Sequence, residues 1–179
     1  MTRSWRPGQK SPDTDSMIRV DQAGEYGATR IYAGQLAVLP PGSPAAKLVS
    51  RMAMQEQRHL KRFEELVAAR SIRPTILQPF WHVAGFALGA GTALIGEEAA
   101  MACTEAVETE IDRHYQRQLD ELGDDDPALS ADIAEFRAEE LEHRDTARKA
   151  GAQRAPGYPV LTGAIRAACR VAIALSKRV

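Results

Sequence analysis

The sequence predicts an all-α protein: a four-helix bundle followed by an additional C-terminal amphipathic helix. Three observations lead there. Proline and glycine clusters cut the chain into segments of helical length, and no strand-like alternation of apolar and polar residues competes with them. A glutamate followed one helical hairpin later by Glu-x-x-His occurs twice, as Glu25 with Glu56 and His59, then Glu108 with Glu140 and His143. The copies are evenly offset: the step from Glu56 to Glu140 equals that from His59 to His143, and the step from Glu25 to Glu108 is shorter by a single position.

The elements follow in order. Residues 1–15 are polar, hold Pro7, Gly8 and Pro12, and carry no apolar run; they read as a flexible tail before a single domain over 16–179. A first helix is expected over 16–38 and closes at Pro40-Pro41-Gly42. Ser43-Pro44 then supplies an N-cap and a proline at the first helical position, so a second helix runs over 44–69. After the Pro74 to Pro79 break comes one long segment, 80–121. Gly123 to Pro127 makes a turn and a fresh start for 127–150, and Gly151 to Pro159 separates the last helix, 160–177.

On a helix, side chains at i and i+3 share one face, so each Glu-x-x-His can address one metal ion. Carboxylate oxygens can bridge two cations, and imidazole nitrogen suits iron. In a four-helix bundle, a Glu from each of two helices plus Glu-x-x-His from the other two is the ligand set of a di-iron or di-manganese core. Four carboxylates against two divalent ions give formal neutrality, which lowers the cost of burying the charge. With 14 Glu and four His in 179 residues, chance would place Glu three residues before His about 0.3 times; it occurs twice.

The candidate ligands also fall on apolar faces. Steps of three and four from Glu56 and His59 reach Met52, Phe63 and Leu66, and from Glu140 and His143 they reach Ile133, Phe136 and Ala147. Around Glu25 lie Ile18, Ala28, Tyr32 and Leu36; around Glu108 lie Met101, Ile111 and Tyr115. Among the other carboxylates, Glu97, Glu98, Glu105, Glu110, Glu139 and Glu142 read as surface charges or local ion pairs. Asp21 and Asp112, a turn from Glu25 and Glu108, are candidates to orient a ligand histidine, with a solvated role as the alternative. His82, in an apolar run, reads as a packed or interfacial histidine.

A net charge of −1 gives no case for nucleic-acid binding, and Cys103 and Cys169 do not make a disulfide framework. Phe80 to Gly96 is free of formal charge, slightly short for a membrane span, and fits a buried or membrane-surface segment. Its Gly85-x-x-x-Gly89 would permit close helix packing. The last helix mixes Leu161, Ile165, Val171, Ile173 and Leu175 with Arg166, Arg170, Lys177 and Arg178, a pattern that suits an anionic membrane surface or packing with a solvated basic edge.

Longer motifs are more specific than Glu-x-x-His: Met-Ile-Arg-Val-Asp-Gln-Ala-Gly-Glu-Tyr-Gly-Ala at 17–28, Arg-Ile-Tyr-Ala-Gly-Gln at 30–35, Glu-Gln-Arg-His-Leu at 56–60, Met-Ala-Cys-Thr-Glu-Ala-Val-Glu at 101–108 and Glu-Glu-Leu-Glu-His at 139–143. In these the chain resembles the 3-demethoxyubiquinol 3-hydroxylases of ubiquinone biosynthesis, ferritin-like di-iron carboxylate proteins. The resemblance implies a peripheral membrane mono-oxygenase that uses O2 to add a hydroxyl group to the ring of a polyprenylated demethoxyquinol. It implies Glu25, Glu56, His59, Glu108, Glu140 and His143 as ligands of two iron ions, with Glu56 and Glu140 as bridges, and matches His114 and Tyr115 to a pair that assists electron or proton transfer.

The resemblance further implies NADH as reductant and a lipid-binding partner protein, although no Gly-x-Gly-x-x-Gly marks a dinucleotide site. It places the protein on the cytoplasmic face of a bacterial membrane, or on the matrix side of the mitochondrial inner membrane. The competing reading is a ferroxidase or peroxide-scavenging bundle of the ferritin or rubrerythrin type. A third is a non-catalytic helical adaptor with vestigial buried carboxylates.

Overall fold

The computed structural model describes residues 12–178; residues 1–11, most of the expected tail, lie outside them, as does Val179. Helix α1 spans Thr14–Val38, starting before the expected boundary because the Asp13 carboxylate accepts from the Ser16 backbone N–H and caps it. Helix α2, Pro44–Ala69, begins as the sequence indicates, with the Ser43 hydroxyl accepting from the Ala46 N–H. Helix α5, Pro127–Lys149, is capped in the same way by Asp126 on the Leu129 N–H.

The expected 80–121 helix is instead two helices, α3 over Gln78–Ile95 and α4 over Glu97–Leu122. The break is at Gly96, whose φ of 150° and ψ of 168° suit a residue without a Cβ. Glu97 and Glu98 then sit in the first turn of α4, where negative charge favours a new helix start. A short 3-10 turn at Ala152–Arg154 leads to α6, Tyr158–Ser176.

The described residues thus form two three-helix units in tandem. In the first, α1 packs against α2 and α3; in the second, α4 packs against α5 and α6. The four helices α1, α2, α4 and α5 enclose the core, whose buried residues form one cluster around Tyr32, Val49, Met52 and Ala99 to Ala102 and another around Ile18, Phe63, Tyr115, Ile133 and Phe136. Nearly every residue expected on an inward face is buried; Leu36 and Ile111 are half-buried.

Glycines on both helices set the distance between α3 and α1. A Cβ on Gly89 would lie 1.9 Å from the Ile31 carbonyl oxygen, and one on Gly34 would lie 2.1 Å from the Phe86 carbonyl oxygen. Backbone meets backbone here, which is the close packing that the Gly85-x-x-x-Gly89 spacing permits.

Helix α6 packs against α4 through two glutamates. Glu105 and Glu110 are not surface charges: both are buried and hold the second unit together. Glu105 Oε1 accepts from Arg148 Nε at 2.7 Å and from the Tyr158 hydroxyl at 2.9 Å. Glu110 Oε1 accepts from Arg113, Arg166 and Arg170 at 2.9, 2.8 and 3.1 Å. A buried carboxylate requires cations, so Arg166 and Arg170 reach toward α4, while Arg170, Lys177 and Arg178 stay exposed and keep the helix edge basic and solvated.

Candidate metal centre

Each of the four core helices delivers its share of the repeated motif to the middle of the bundle. Glu25 of α1, Glu56 and His59 of α2, Glu108 of α4, and Glu140 and His143 of α5 are all buried, none more than 2% exposed. Their ligand atoms form two clusters, one of Glu25, Glu56, His59 and Glu140, the other of Glu56, Glu108, Glu140 and His143, with the atoms of each within 4.8 Å of one another. Glu56 and Glu140 belong to both. Two adjoining cation sites with two shared carboxylates and one further Glu and one His apiece are what this arrangement can hold.

Both imidazoles present Nδ1 to the clusters. His59 Nδ1 lies 3.1 Å from Glu140 Oε1 and 3.5 Å from Glu25 Oε2, while His143 Nδ1 lies 3.1 Å from Glu56 Oε1 and 3.2 Å from Glu140 Oε2. Glu56 Oε1, His59 Nδ1 and Glu140 Oε1 are buried and have no well-formed hydrogen bond among the described residues, although oxygen and nitrogen nearly touch. Converging buried lone pairs without donors fit a pair of divalent cations.

Electrostatics agree with that fit. Burial, reinforced by the neighbouring carboxylates, pushes Glu56 and Glu108 well above the ordinary carboxyl range. Burial works against charge on His59, but the polar contacts and negative charge of Glu140 and Glu25 hold it up at about 11. Glu140 is also penalised by burial, yet the polar contacts and charge of His143 and His59 draw it down to about 2. Without metal, the cluster must hold protons to offset its carboxylates.

A pH dependence follows. The folded metal-free protein keeps protons on Glu56, Glu108 and His59 that the unfolded chain releases above its ordinary values of 4.5 and 6.5. Native chains then bind more protons than unfolded ones, so stability falls as pH rises. Glu140, with its lowered value, contributes stability already complete above the ordinary 4.5 and does not reverse the slope. Thermal unfolding with a chelator should show the midpoint dropping from about pH 6 to pH 9, and saturating divalent metal should flatten or invert the trend. A midpoint of the metal-free protein that rises over this range would contradict the assignment.

Tyrosines support the two outer glutamates in a crossed pattern. The Tyr115 hydroxyl of α4 donates to Glu25 Oε1 on α1, and the Tyr32 hydroxyl of α1 donates to Glu108 Oε1 on α4 at 2.7 Å. Tyr32 and Tyr115 are offset along the chain as Glu25 and Glu108 are, so they occupy equivalent places in the repeat. His114 is buried beside Tyr115, with ring centroids 6.1 Å apart, and its Nε2 donates to Asp21 Oδ1 at 3.0 Å. Gln118 Nε2 donates to the same oxygen at 2.9 Å. Both residues of the His114 and Tyr115 pair therefore lie against the core, Tyr115 in direct contact with a candidate ligand.

Neither aspartate orients a candidate ligand histidine. Asp21 serves His114, and Asp112 accepts from Arg137 Nε at 2.7 Å between α4 and α5. The outer Nε2 of His59 instead donates to Glu139 at 2.9 Å, and that of His143 to Gln55 Oε1 at 3.0 Å. Glu139 is thus not simply a surface charge. Each of these two residues immediately precedes a motif glutamate, which is the signal the sequence offered. His82 lies on the outside, its Nδ1 2.6 Å from the Tyr26 hydroxyl.

An apolar cavity of about 170 Å³ runs between α1, α3, α4 and α6. Gly24, Gly27, Gly85, Leu88, Val107 and Cys169 are among its walls, and Gly24 and Val107 directly precede Glu25 and Glu108.

The family model described as ubiquinone biosynthesis protein COQ7 matches residues 12–176. The chain is 58% identical to the 3-demethoxyubiquinol 3-hydroxylase of Rhodospirillum rubrum, over 97% of this chain and 82% of that protein. It is 54% identical to the mitochondrial NADPH-dependent 3-demethoxyubiquinone 3-hydroxylase of Bos taurus, over 92% of this chain and 77% of that protein. With the mitochondrial 5-demethoxyubiquinone hydroxylase of Saccharomyces cerevisiae it shares 45% identity, over 92% of this chain and 78% of that protein. A match of this extent, on a helical bundle with paired acidic and histidine clusters, means that the chain belongs to the COQ7 family of ubiquinone biosynthesis proteins.

Proposed function

We propose that this protein is a 3-demethoxyubiquinol 3-hydroxylase, a mono-oxygenase that uses O2 to hydroxylate the ring of a polyprenylated demethoxyquinol in ubiquinone biosynthesis. The observation that carries the reading is the pair of buried clusters sharing Glu56 and Glu140, in a bundle whose α1 and α4 also line an apolar cavity at Gly24 and Val107, the residues next to Glu25 and Glu108 in sequence. Glu25, Glu56, His59, Glu108, Glu140 and His143 would hold two iron ions. The metal pair, when bound, supplies the activation of O2 that ring hydroxylation requires.

The chain's own residues do the rest. Tyr32 and Tyr115 fix the outer glutamates, and Phe136, stacked on the His59 ring at 4.1 Å between centroids, sets that imidazole's plane. The apolar walls take the substrate's isoprenoid tail and exclude water from the core. His114 and Tyr115, joined through Asp21 and Glu25 to α1, are the proposed route for protons or electrons into the centre. Reduced nicotinamide dinucleotide is the proposed electron source: NADH by the resemblance above, NADPH by the name of the bovine relative.

Peripheral membrane association completes the proposal. Helices α3 and α6 both line the cavity and both expose apolar side chains, among them Val83, Leu94, Val160 and Val171. By length and composition α6 is apolar enough to cross a membrane, but its arginines are paired with Glu110 on α4, which favours lying on the surface. A lipid-binding partner protein would dock to the same apolar side. The cavity also favours this reading over a ferroxidase, which has no organic substrate to seat.

Gly27 provides the test. It lines the cavity, and a Cβ there would meet nothing within 4 Å, so a side chain grown from this position in Gly27→Leu starts in open space and is expected to occupy the cavity. Quinol hydroxylation should fall at least about tenfold, equivalent to about 1.4 kcal/mol of substrate interaction, with metal content unchanged. Undiminished turnover in that variant would remove the cavity from the account.

A further inference from the structure

The two clusters have matching inner ligands but different outer support. The helix residue before each motif glutamate reaches across to the histidine of the other unit: Gln55 to His143 and Glu139 to His59. Gln55 and Glu139 are offset along the chain as Glu56 and Glu140 are, so they are equivalent places in the repeat occupied by different chemistry. One is a neutral amide and the other a carboxylate.

The four side chains form one network. Gln55 Nε2 donates to Glu139 Oε2 at 3.4 Å, which turns the amide oxygen toward His143 Nε2. Arg58 Nη2 contacts both Glu139 oxygens, at 2.8 and 2.6 Å, and fixes the carboxylate against His59. With Nε2–H donated outward, Nδ1 of each ring faces its cluster, and its lone pair is the one a cation would take in place of a proton. An imidazole N–H held by a carboxylate is a stronger donor to a cation than one held by an amide oxygen, because negative charge at the outer edge raises the basicity of the inner nitrogen.

We propose that Glu139 and Gln55 make the two metal subsites unequal, the Glu25–His59 subsite binding its cation more tightly and the Glu108–His143 subsite more weakly. Both are positioning residues that act through the histidines. The inference rests on the paired-metal reading above. Shared carboxylates couple the two binding steps in any case, so variants that exchange the outer chemistry carry the test.

Metal-free full-length protein is titrated anaerobically with Co²⁺ and followed by calorimetry and by the visible absorption of the bound ion. Glu139→Gln should weaken the tighter step about 10- to 100-fold and leave the weaker one within about threefold. The exchanged double variant, Gln55→Glu with Glu139→Gln, should regain a tight step, now abolished by His143→Ala rather than by His59→Ala. A purely structural role for Glu139 would not be rescued by moving the carboxylate to the other unit. Equal weakening of both steps by Glu139→Gln, no change in either, or a double variant that behaves like the single one would overturn the proposal. Wild-type protein that binds no cobalt would overturn the paired-metal reading itself, and this inference with it.

Discussion

Glu56→Ala should empty both metal subsites at once and abolish hydroxylation. Glu56 stands in both clusters, whereas Glu25 stands in one, so Glu25→Ala should retain metal in the Glu108–His143 subsite while Glu56→Ala retains none. The loss has a thermodynamic signature. A ligand that binds only the native state stabilises it by about 4 kcal/mol at a thousand times its dissociation constant. Wild-type protein should show a gain of that order on metal addition and Glu56→Ala should show none. Full iron occupancy and turnover in Glu56→Ala would exclude the shared-carboxylate arrangement.

Gly89→Ala should be strongly destabilising even though it adds one methyl group to a helix. The new Cβ would fall 1.9 Å from the Ile31 carbonyl oxygen, and no rotamer relieves a clash with backbone. Helices α1 and α3 must therefore separate, at a cost of about 3 kcal/mol or more, and the cavity they line must open with them. Gly91 is the control on the same helix: a Cβ there meets nothing within 4 Å, so Gly91→Ala should be neutral or gain up to about 1 kcal/mol from helix propensity. Urea unfolding of the two variants checks this directly. A difference between them of less than about 0.5 kcal/mol, the range of an ordinary surface substitution, would mean that the glycine contact does not set the α1–α3 distance.

Most of the bundle was legible in the sequence because its signals are local. Ser43-Pro44 begins α2 through a hydrogen bond within a single turn, and the Glu-x-x-His spacing places two side chains on one helical face whatever surrounds it. The repeat added long-range information, since two copies at a fixed offset imply two equivalent units. The break at Gly96 was missed because periodicity within an apolar run does not reveal a backbone angle.

The outer support was harder to read for a different reason. Whether Glu105, Glu110 and Glu139 face water or a partner depends on how one helix is rotated against the next. All three have partners far along the chain, Glu105 in Arg148 and Tyr158, Glu110 in Arg166 and Arg170, Glu139 in His59 and Arg58. Asp21 illustrates the converse: its position a turn from Glu25 suggested a partner for a ligand histidine, and the packing of α1 on α4 gave it His114. The crossed tyrosines share the offset of the outer glutamates, so the repeat carried that part of the site as well.

The proposed hydroxylation of a quinol ring would draw on two iron ions held by the six buried Glu and His residues. Its most direct test is anaerobic reconstitution with ferrous iron and a demethoxyquinol, followed by oxygen-18 gas, iron counting and mass spectrometry of the quinone. Two irons per chain, one for each cluster, and a single labelled oxygen in the ring are the expected result. Iron oxidised beside an unlabelled ring, in a preparation that demonstrably binds the quinol, would contradict it.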